Sequence, residues 1–263
     1  MPEGHTVHRT AGQFKKHFVG QPLQVSSPQG RFTDSALISG SKLLKAEAWG
    51  KQLFLTFEPA VLRIHLGIYG KWGWSTFEDK PKEPWGQVRA RFLSETQVAD
   101  LRGPTACELL DADSVMFVTS KLGPDPLRPD PKGLEKARFI ERVGRSKVAI
   151  GQLLMDQSVL AGVGNVYRAE LLFRAKISPH TPGASIPNEL VAAIWDDAVA
   201  LMGIGVKRGI MLTRDGFLKG QVGKANRYYT YKREGLPCRE CGHVISIELM
   251  ATRKLYWCPA CQK

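Results

Sequence analysis

Four of the five cysteines stand as two pairs, Cys238-Arg-Glu-Cys241 and Cys258-Pro-Ala-Cys261, with sixteen residues between the pairs. Two thiols separated by two residues can turn both sulfurs toward one point. The spacing therefore predicts a zinc ribbon, in which four thiolates close a tetrahedron around a single Zn2+. A closed tetrahedron has no position left for a substrate, so the ion is expected to be structural. The competing reading of the same residues is two disulfides, a chemistry of oxidising compartments that nothing else in the sequence suggests. His243 lies close behind Cys241 but adds nothing to a shell that four sulfurs fill, and Cys107 reads as a small buried hydrophobe. The opening MPEGHTVHR poses a second chemistry. A methionine before a residue as small as proline is commonly removed, which would leave Pro2 with a free secondary amine. His5 and His8, three apart on one helix face, could suggest a metal pair, but no third ligand accompanies them.

Charge narrows the class of partner. Lys and Arg number 37 against 25 Asp and Glu, a net charge of +12. Residues 1–125 contribute +2 of it and residues 126–263 contribute +10. Such a balance favours a polyanionic partner, although by itself it speaks to association and not to fold. No stretch approaches the roughly 20 consecutive apolar residues of a membrane-spanning helix, and the start lacks the basic-then-apolar pattern of a secretory signal. The expectation is an intracellular protein, cytoplasmic or associated with the nucleoid, monomeric and without a membrane partner.

At 263 residues and 43% hydrophobic, the chain can build more than one core. A helical pattern over residues 4–18 precedes short β-rich runs, LLKAEAW, KQLFLTF, VLRIHL, QVRARFL and QVADLR, which argue for a β-sandwich or flattened barrel. GPDPLRPDPKG, residues 123–133, is a proline-dense connector with poor helix or strand prospects. Helical patterns follow in LEKARFIERV, VAIGQLLMD, NVYRAELLFRA and PNELVAAIWDDAVALMGIG. HVISIELMATRKLYW, between the cysteine pairs, reads as the two strands of a hairpin. The resulting expectation is a multidomain α+β protein. It comprises a sandwich domain over 1–122, a linker over 123–133, a helical domain over 134–226 and a zinc-ribbon finger over 227–263. In LAGVGNVYRAE, Gly162 and Gly164 permit close backbone approach, and Asn165 is placed to cap the helix it opens, whose first amides form an anion site.

Taken in order, the initial PEG, Gly50-Lys51 before an apolar strand, LLMDQ...AGVGNVYRAE...SPHTP and the final four-cysteine ribbon resemble the formamidopyrimidine-DNA glycosylase and endonuclease VIII family of base-excision repair enzymes. The resemblance spans essentially the whole chain, and HTVHR points to a divergent endonuclease VIII-like branch. It implies a β-sandwich with a leading helix, a helix-two-turn-helix module with a zinc ribbon, and a damaged nucleotide flipped out of the duplex. The implied partner is damaged double-stranded DNA, with single-stranded or forked DNA as further forms.

The resemblance also implies roles. An α-amino group titrates near pH 7.7–8.0 against 10.4 for lysine, so more of the Pro2 amine is neutral and nucleophilic at pH 7. Its secondary nitrogen would attack the anomeric carbon, and Glu3 would protonate the sugar oxygen and manage later proton transfers. Lys51 would hold a phosphate and donate a proton. Asn165 would hold a backbone phosphate beside the lesion, and Arg253, near the tip of the ribbon hairpin, would add planar bidentate phosphate contact. Ile68 and Tyr69 occupy the loop where the family inserts wedges into the void left by the flipped base, although only the tyrosine of that family's Gln-Leu-Tyr triplet is present. The implied activity is a bifunctional glycosylase and abasic-site lyase working on oxidised pyrimidines. The alternatives are a purine-directed glycosylase, for ring-opened purines or 8-oxoguanine, and a non-catalytic damage-binding protein on the same scaffold.

Overall fold

Val7, Ala11 and Phe14 recur at helical spacing, and all three are buried along one side of helix α1 (Gly4–His17). The helix closes on Lys15 and Lys16, cations suited to its negative C-terminal end. Phe14 is the anchor. Its ring meets those of Trp72, Trp74 and Phe92 edge-on at 5.1, 5.2 and 5.5 Å, so one aromatic side chain pins the helix to a sheet.

In the computed structural model, which describes residues 2–263, the chain forms two compact units, Met1–Ser120 and Lys121–Lys263. After α1, the first unit runs through β1 (Gln24–Ser26), α2 (Ser35–Ile38), β2 (Leu43–Trp49), β3 (Gln52–Phe57), β4 (Val61–His65), β5 (Lys71–Thr76), β6 (Val88–Leu93), β7 (Gln97–Arg102), β8 (Ala106–Leu110) and α3 (Ala112–Ser120). The strands make two four-stranded antiparallel sheets, ordered β1-β6-β7-β5 and β2-β3-β4-β8. Leu43, Leu55, Leu62 and Ile64 of one sheet and Val25, Ala90, Phe92 and Leu101 of the other enter a single apolar core. This is the expected sandwich. The five strands read from alternation are present, whereas β1, β5 and β8, all at sheet edges, escaped notice. KWGWST and ACELL are half-exposed edge strands, and edges carry the weakest alternation. Cys107 lies on β8, partly buried against the core, where burial pushes its thiol up to about 12.

The second unit begins with the irregular proline-rich stretch and continues through α4 (Leu134–Gly144), α5 (Ile150–Leu153), α6 (Asn165–Arg174) and α7 (Asn188–Arg208) to the hairpin β9 (Ser246–Met250) and β10 (Arg253–Trp257). Of VAIGQLLMD only four residues are α-helical, because Asp156 and the turn beyond it redirect the chain toward α6. Phe139, Leu154, Tyr167, Leu172, Trp195 and Met202 are buried in one core. All residues of α6 from Asn165 to Phe173 are buried, including Arg168 and Glu170. No helix among the described residues is long and apolar enough to cross a membrane.

Candidate active site and metal centre

Pro2 is half-buried just ahead of α1, outside regular secondary structure. Glu3 is the residue that starts the helix. Its backbone is extended and its carbonyl accepts the amide of Thr6 at 2.9 Å, while its side chain is completely withdrawn from solvent. His5, one residue into the helix, is also buried. Burial, reinforced by nearby cations, lowers its imidazole to about 4, so it is neutral at physiological pH. α1 packs on β2 and β3, and the turn joining those strands holds Gly50, with φ +58, and the half-buried Lys51.

His65, which sequence reasoning passed over, pairs with Gln52 across β3 and β4. Burial first, and then the charges of Arg63 and Lys51, holds its imidazole below the ordinary range. Lys51, Arg63 and His65 therefore share one cationic neighbourhood on the β3–β4 pair. Arg63 is also tied locally, to Gln52 at 3.0 Å and to Glu108 at 2.6 Å.

Ile68 and Tyr69 lie in the turn between β4 and β5, and Tyr69 is 83% exposed. The glycines on either side explain why. The amide of Gly70 donates to Leu66 O at 2.9 Å, and a Cβ on Gly70 would fall 2.3 Å from that oxygen. A Cβ on Gly67, whose φ is +63, would meet Thr105 Oγ1 at 1.8 Å. Bare backbone fills the inside of the turn and leaves both large side chains facing solvent.

In the second unit, Asn165 departs from expectation. The residue capping α6 is Gly164, and Asn165 is the first helical residue, its side chain bonded to Lys254 and Arg168. A carboxamide at that position points along the helix and not back over its first amides, so it bonds elsewhere. Asn165 Nδ2 donates to Lys254 O on β10 at 2.8 Å. Arg253 opens β10 opposite Met250 and is exposed, beyond a two-residue turn in which Ala251 and Thr252 both have positive φ. The bond from Asn165 thus joins α6 to the residue beside Arg253.

Two residues that sequence reasoning did not single out organise this region. Gln157 braces the turn before α6, donating to the carbonyls of Met155 and Val163 and accepting the amide of Gly162 at 3.0 Å. The buried carboxylate of Glu170 accepts from Thr213 Oγ1, from Thr230 Oγ1 and from the amides of Tyr229, Thr230 and Tyr231, at 2.6–3.1 Å. The available signal was a pair of charged residues, Arg168 and Glu170, inside an otherwise apolar run, but their partners lie up to 86 positions away.

The four ribbon cysteines converge, with all four sulfurs within 4.8 Å of one another. Cys241 and Cys258 Sγ stand 3.5 Å apart and Cys238 and Cys261 3.9 Å, against about 3.8 Å for the edge of a tetrahedron with Zn–S bonds of about 2.3 Å. The cysteines are free thiols, so the disulfide reading falls. The amide of His243 draws the Cys241 thiol down to about 7, whereas burial pushes Cys258 and Cys261 up. Four thiols this close ionise together only around a cation, and the set fits one structural Zn2+. His243 itself is exposed and contributes backbone alone, its carbonyl accepting the amide of Cys238 at 2.7 Å.

Residues 1–107 match the formamidopyrimidine-DNA glycosylase N-terminal domain, 122–215 the formamidopyrimidine-DNA glycosylase H2TH domain, and 235–263 the zinc finger found in FPG and IleRS. "Endonuclease 8 1" of Mycobacterium tuberculosis is 47% identical over 271 residues, covering all of both chains. The chain belongs to the formamidopyrimidine-DNA glycosylase and endonuclease VIII family. Formamidopyrimidine-DNA glycosylase of Thermus thermophilus is 30% identical over all of this chain and 98% of its own length. A Lactococcus lactis FPG mutant in complex with DNA containing Fapy-dG is 25% identical, with a TM-score of 0.79 and full coverage of both chains. The Lactococcus lactis Fpg complex with DNA containing an abasic site, 24% identical over 99% of both chains with a TM-score of 0.80, shares the fold. The family is one of DNA glycosylases and abasic-site lyases acting in base-excision repair, and the zinc ribbon is part of it.

Proposed function

We propose that this glycosylase removes oxidised bases from double-stranded DNA, pyrimidines ahead of purines, through a covalent intermediate on Pro2, and then cuts the strand by β,δ-elimination. The observation that carries the reading is the pairing of an N-terminal Pro2 with a fully buried Glu3 at the head of α1, in a chain 47% identical along its whole length to an endonuclease 8. With Met1 removed, the secondary amine attacks C1′ of the damaged nucleotide. The new C–N bond forms as the bond from C1′ to the base breaks, and the base leaves with a proton. Glu3 protonates the sugar ring oxygen as the ring opens, which leaves an iminium on Pro2. That cation accepts the electrons released when a C2′ proton is lost and the 3′ phosphate departs. The 5′ phosphate follows, and hydrolysis restores the amine.

Around this chemistry, Lys51, with His65 and Arg63 beside it, offers positive charge for a phosphate on the first unit. Asn165 and Arg253 hold the DNA backbone from the second, with the bound zinc holding the ribbon that carries Arg253. Ile68 and Tyr69, presented to solvent by Gly67 and Gly70, fill the space that the flipped base vacates. The excess charge of residues 126–263 adds salt-dependent affinity for the phosphates. The pyrimidine preference rests on Tyr69 and on the higher identity to endonuclease 8 than to formamidopyrimidine-DNA glycosylase. A purine-directed reading draws on the Fapy-dG complex of the Lactococcus lactis relative.

Borohydride trapping on duplexes bearing thymine glycol, dihydrouracil, 8-oxoguanine or an abasic site tests the proposal. A covalent adduct with the pyrimidine lesions and the abasic site is expected, and 8-oxoguanine preferred over every pyrimidine would reverse the order of substrates. Intact mass should show Met1 missing. A retained methionine would leave a damage-binding protein in place of this enzyme, and strand scission unchanged by Pro2→Gly would overturn Pro2 as the nucleophile.

A further inference from the structure

Arg168 is the largest side chain wholly withdrawn from solvent in the described residues. Removing a guanidinium from water is expensive, so its bonds indicate what it is retained for. It lies one helical turn after Asn165 on α6. Nη2 donates to Asn165 Oδ1 and, at 3.1 Å, to Lys254 O, and Nη1 donates to Gly151 O at 3.4 Å. Asn165 Nδ2 meets the same Lys254 carbonyl at 2.8 Å. Arg168, Asn165 and Lys254 thus form a closed triangle of hydrogen bonds linking α6 to β10, beside Arg253.

A carboxamide has two edges of opposite polarity. Only its N–H edge attracts a phosphate, and its oxygen repels one. Arginine carries five donors and no acceptor, so it can bind Asn165 only through the oxygen. With the oxygen held inward, one N–H of the amide goes to Lys254 O and the other is available to an incoming anion.

We propose that Arg168 is a positioning residue for DNA binding: from inside the second unit it fixes the Asn165 carboxamide with its N–H edge toward the lesion-strand phosphate and holds Lys254 beside Arg253. The inference rests on the proposed phosphate role of Asn165 and goes beyond it by assigning a residue that touches no DNA. Lysine cannot replace it fully, since one ammonium lacks the planar fork that reaches two acceptors at once.

The test is a double-mutant cycle on dissociation constants for an uncleavable duplex carrying a reduced abasic site. Arg168→Gln and Asn165→Ala should each weaken binding about tenfold. The double variant should remain near tenfold and not approach a hundredfold, because both changes remove the same contact. Arg168→Lys should fall between wild type and Arg168→Gln. Zinc content and the near-UV circular dichroism of each variant should match wild type, whereas damage to the fold alone would change both. Should Arg168→Gln lose its zinc or melt below the assay temperature, the cycle is read with Arg168→Lys. Wild-type affinity in the Arg168 variant, or a double variant at the product of the two single effects, overturns the proposal. A wild-type protein that traps no lesion would sink the activity reading, and the binding cycle would still decide this one.

Discussion

The carboxylate of Glu170 accepts the amide of Thr230 at 2.8 Å across sixty residues of sequence, and the amides of Tyr229 and Tyr231 converge on the same side chain. A single buried anion thereby organises the three residues leading into the ribbon. Glu170→Gln would turn an amide N–H toward donors and leave at least one of them unsatisfied. We expect a loss of roughly 3 kcal/mol in urea unfolding, taking hydrogen bonds to a charged group at about 1.5–3 kcal/mol each. An unfolding midpoint equal to wild type would show that these bonds do not matter.

The Ile68–Tyr69 turn separates stability from recognition. Gly70→Ala places a Cβ 2.3–2.8 Å from three backbone atoms of Leu66, a clash that no side-chain rotation relieves. It should lower stability by about 1–3 kcal/mol, the usual cost of overpacking. Tyr69→Ala removes an 83% exposed ring and should leave stability within about 0.5 kcal/mol. It should nonetheless weaken binding to lesion-bearing duplex more than to undamaged duplex, measured by titration at one salt concentration. Equal effects on the two duplexes would exclude Tyr69 as the wedge.

His5 sets a pH dependence of stability. Its imidazole is lowered from 6.5 to about 4 by burial. Below pH 6.5 the unfolded chain binds a proton that the folded chain refuses. The stabilisation is complete above pH 6.5 and is lost as pH falls toward 4, by roughly 3 kcal/mol. Thermal midpoints of wild type and His5→Gln should converge across that window, with wild type showing the steeper decline. Parallel profiles would place the imidazole in water.

Zinc removal should act on the ribbon ahead of the rest. Its own apolar cluster is small, Phe173, Tyr229, Cys238, Ile245 and Cys258, and two of those five are metal ligands. So small a core cannot hold a hairpin without the ion. Chelation or Cys241→Ser should abolish lesion-duplex binding while the sandwich, with a separate core, retains its unfolding transition. Undiminished binding after zinc loss, confirmed by metal analysis, would free Arg253 from any dependence on the ribbon.

Local rules were enough to read much of this molecule. Alternation marked β2, β3, β4, β6 and β7, helical spacing marked α1, α4, α6 and α7, and cysteine spacing identified the metal centre, because each depends on residues a few positions apart. The order of the PEG opening, Gly50-Lys51, the AGVGN segment and the ribbon was sufficient to suggest the family. Tertiary structure decided what those rules cannot reach. Asn165 looked like a helix cap by its neighbours, yet one of its amide hydrogens goes to Lys254 O, 89 positions away. The exposure of Ile68 depends on Leu66 and Thr105 occupying the space that side chains on Gly67 and Gly70 would need. Arg168 and Glu170 read only as charges on a helix until folding supplied the carbonyls and amides that justify burying them. The physical reason is the same each time: a buried polar group is tolerated only with its partner in place, and that partner is brought by the chain's path, not by its local order.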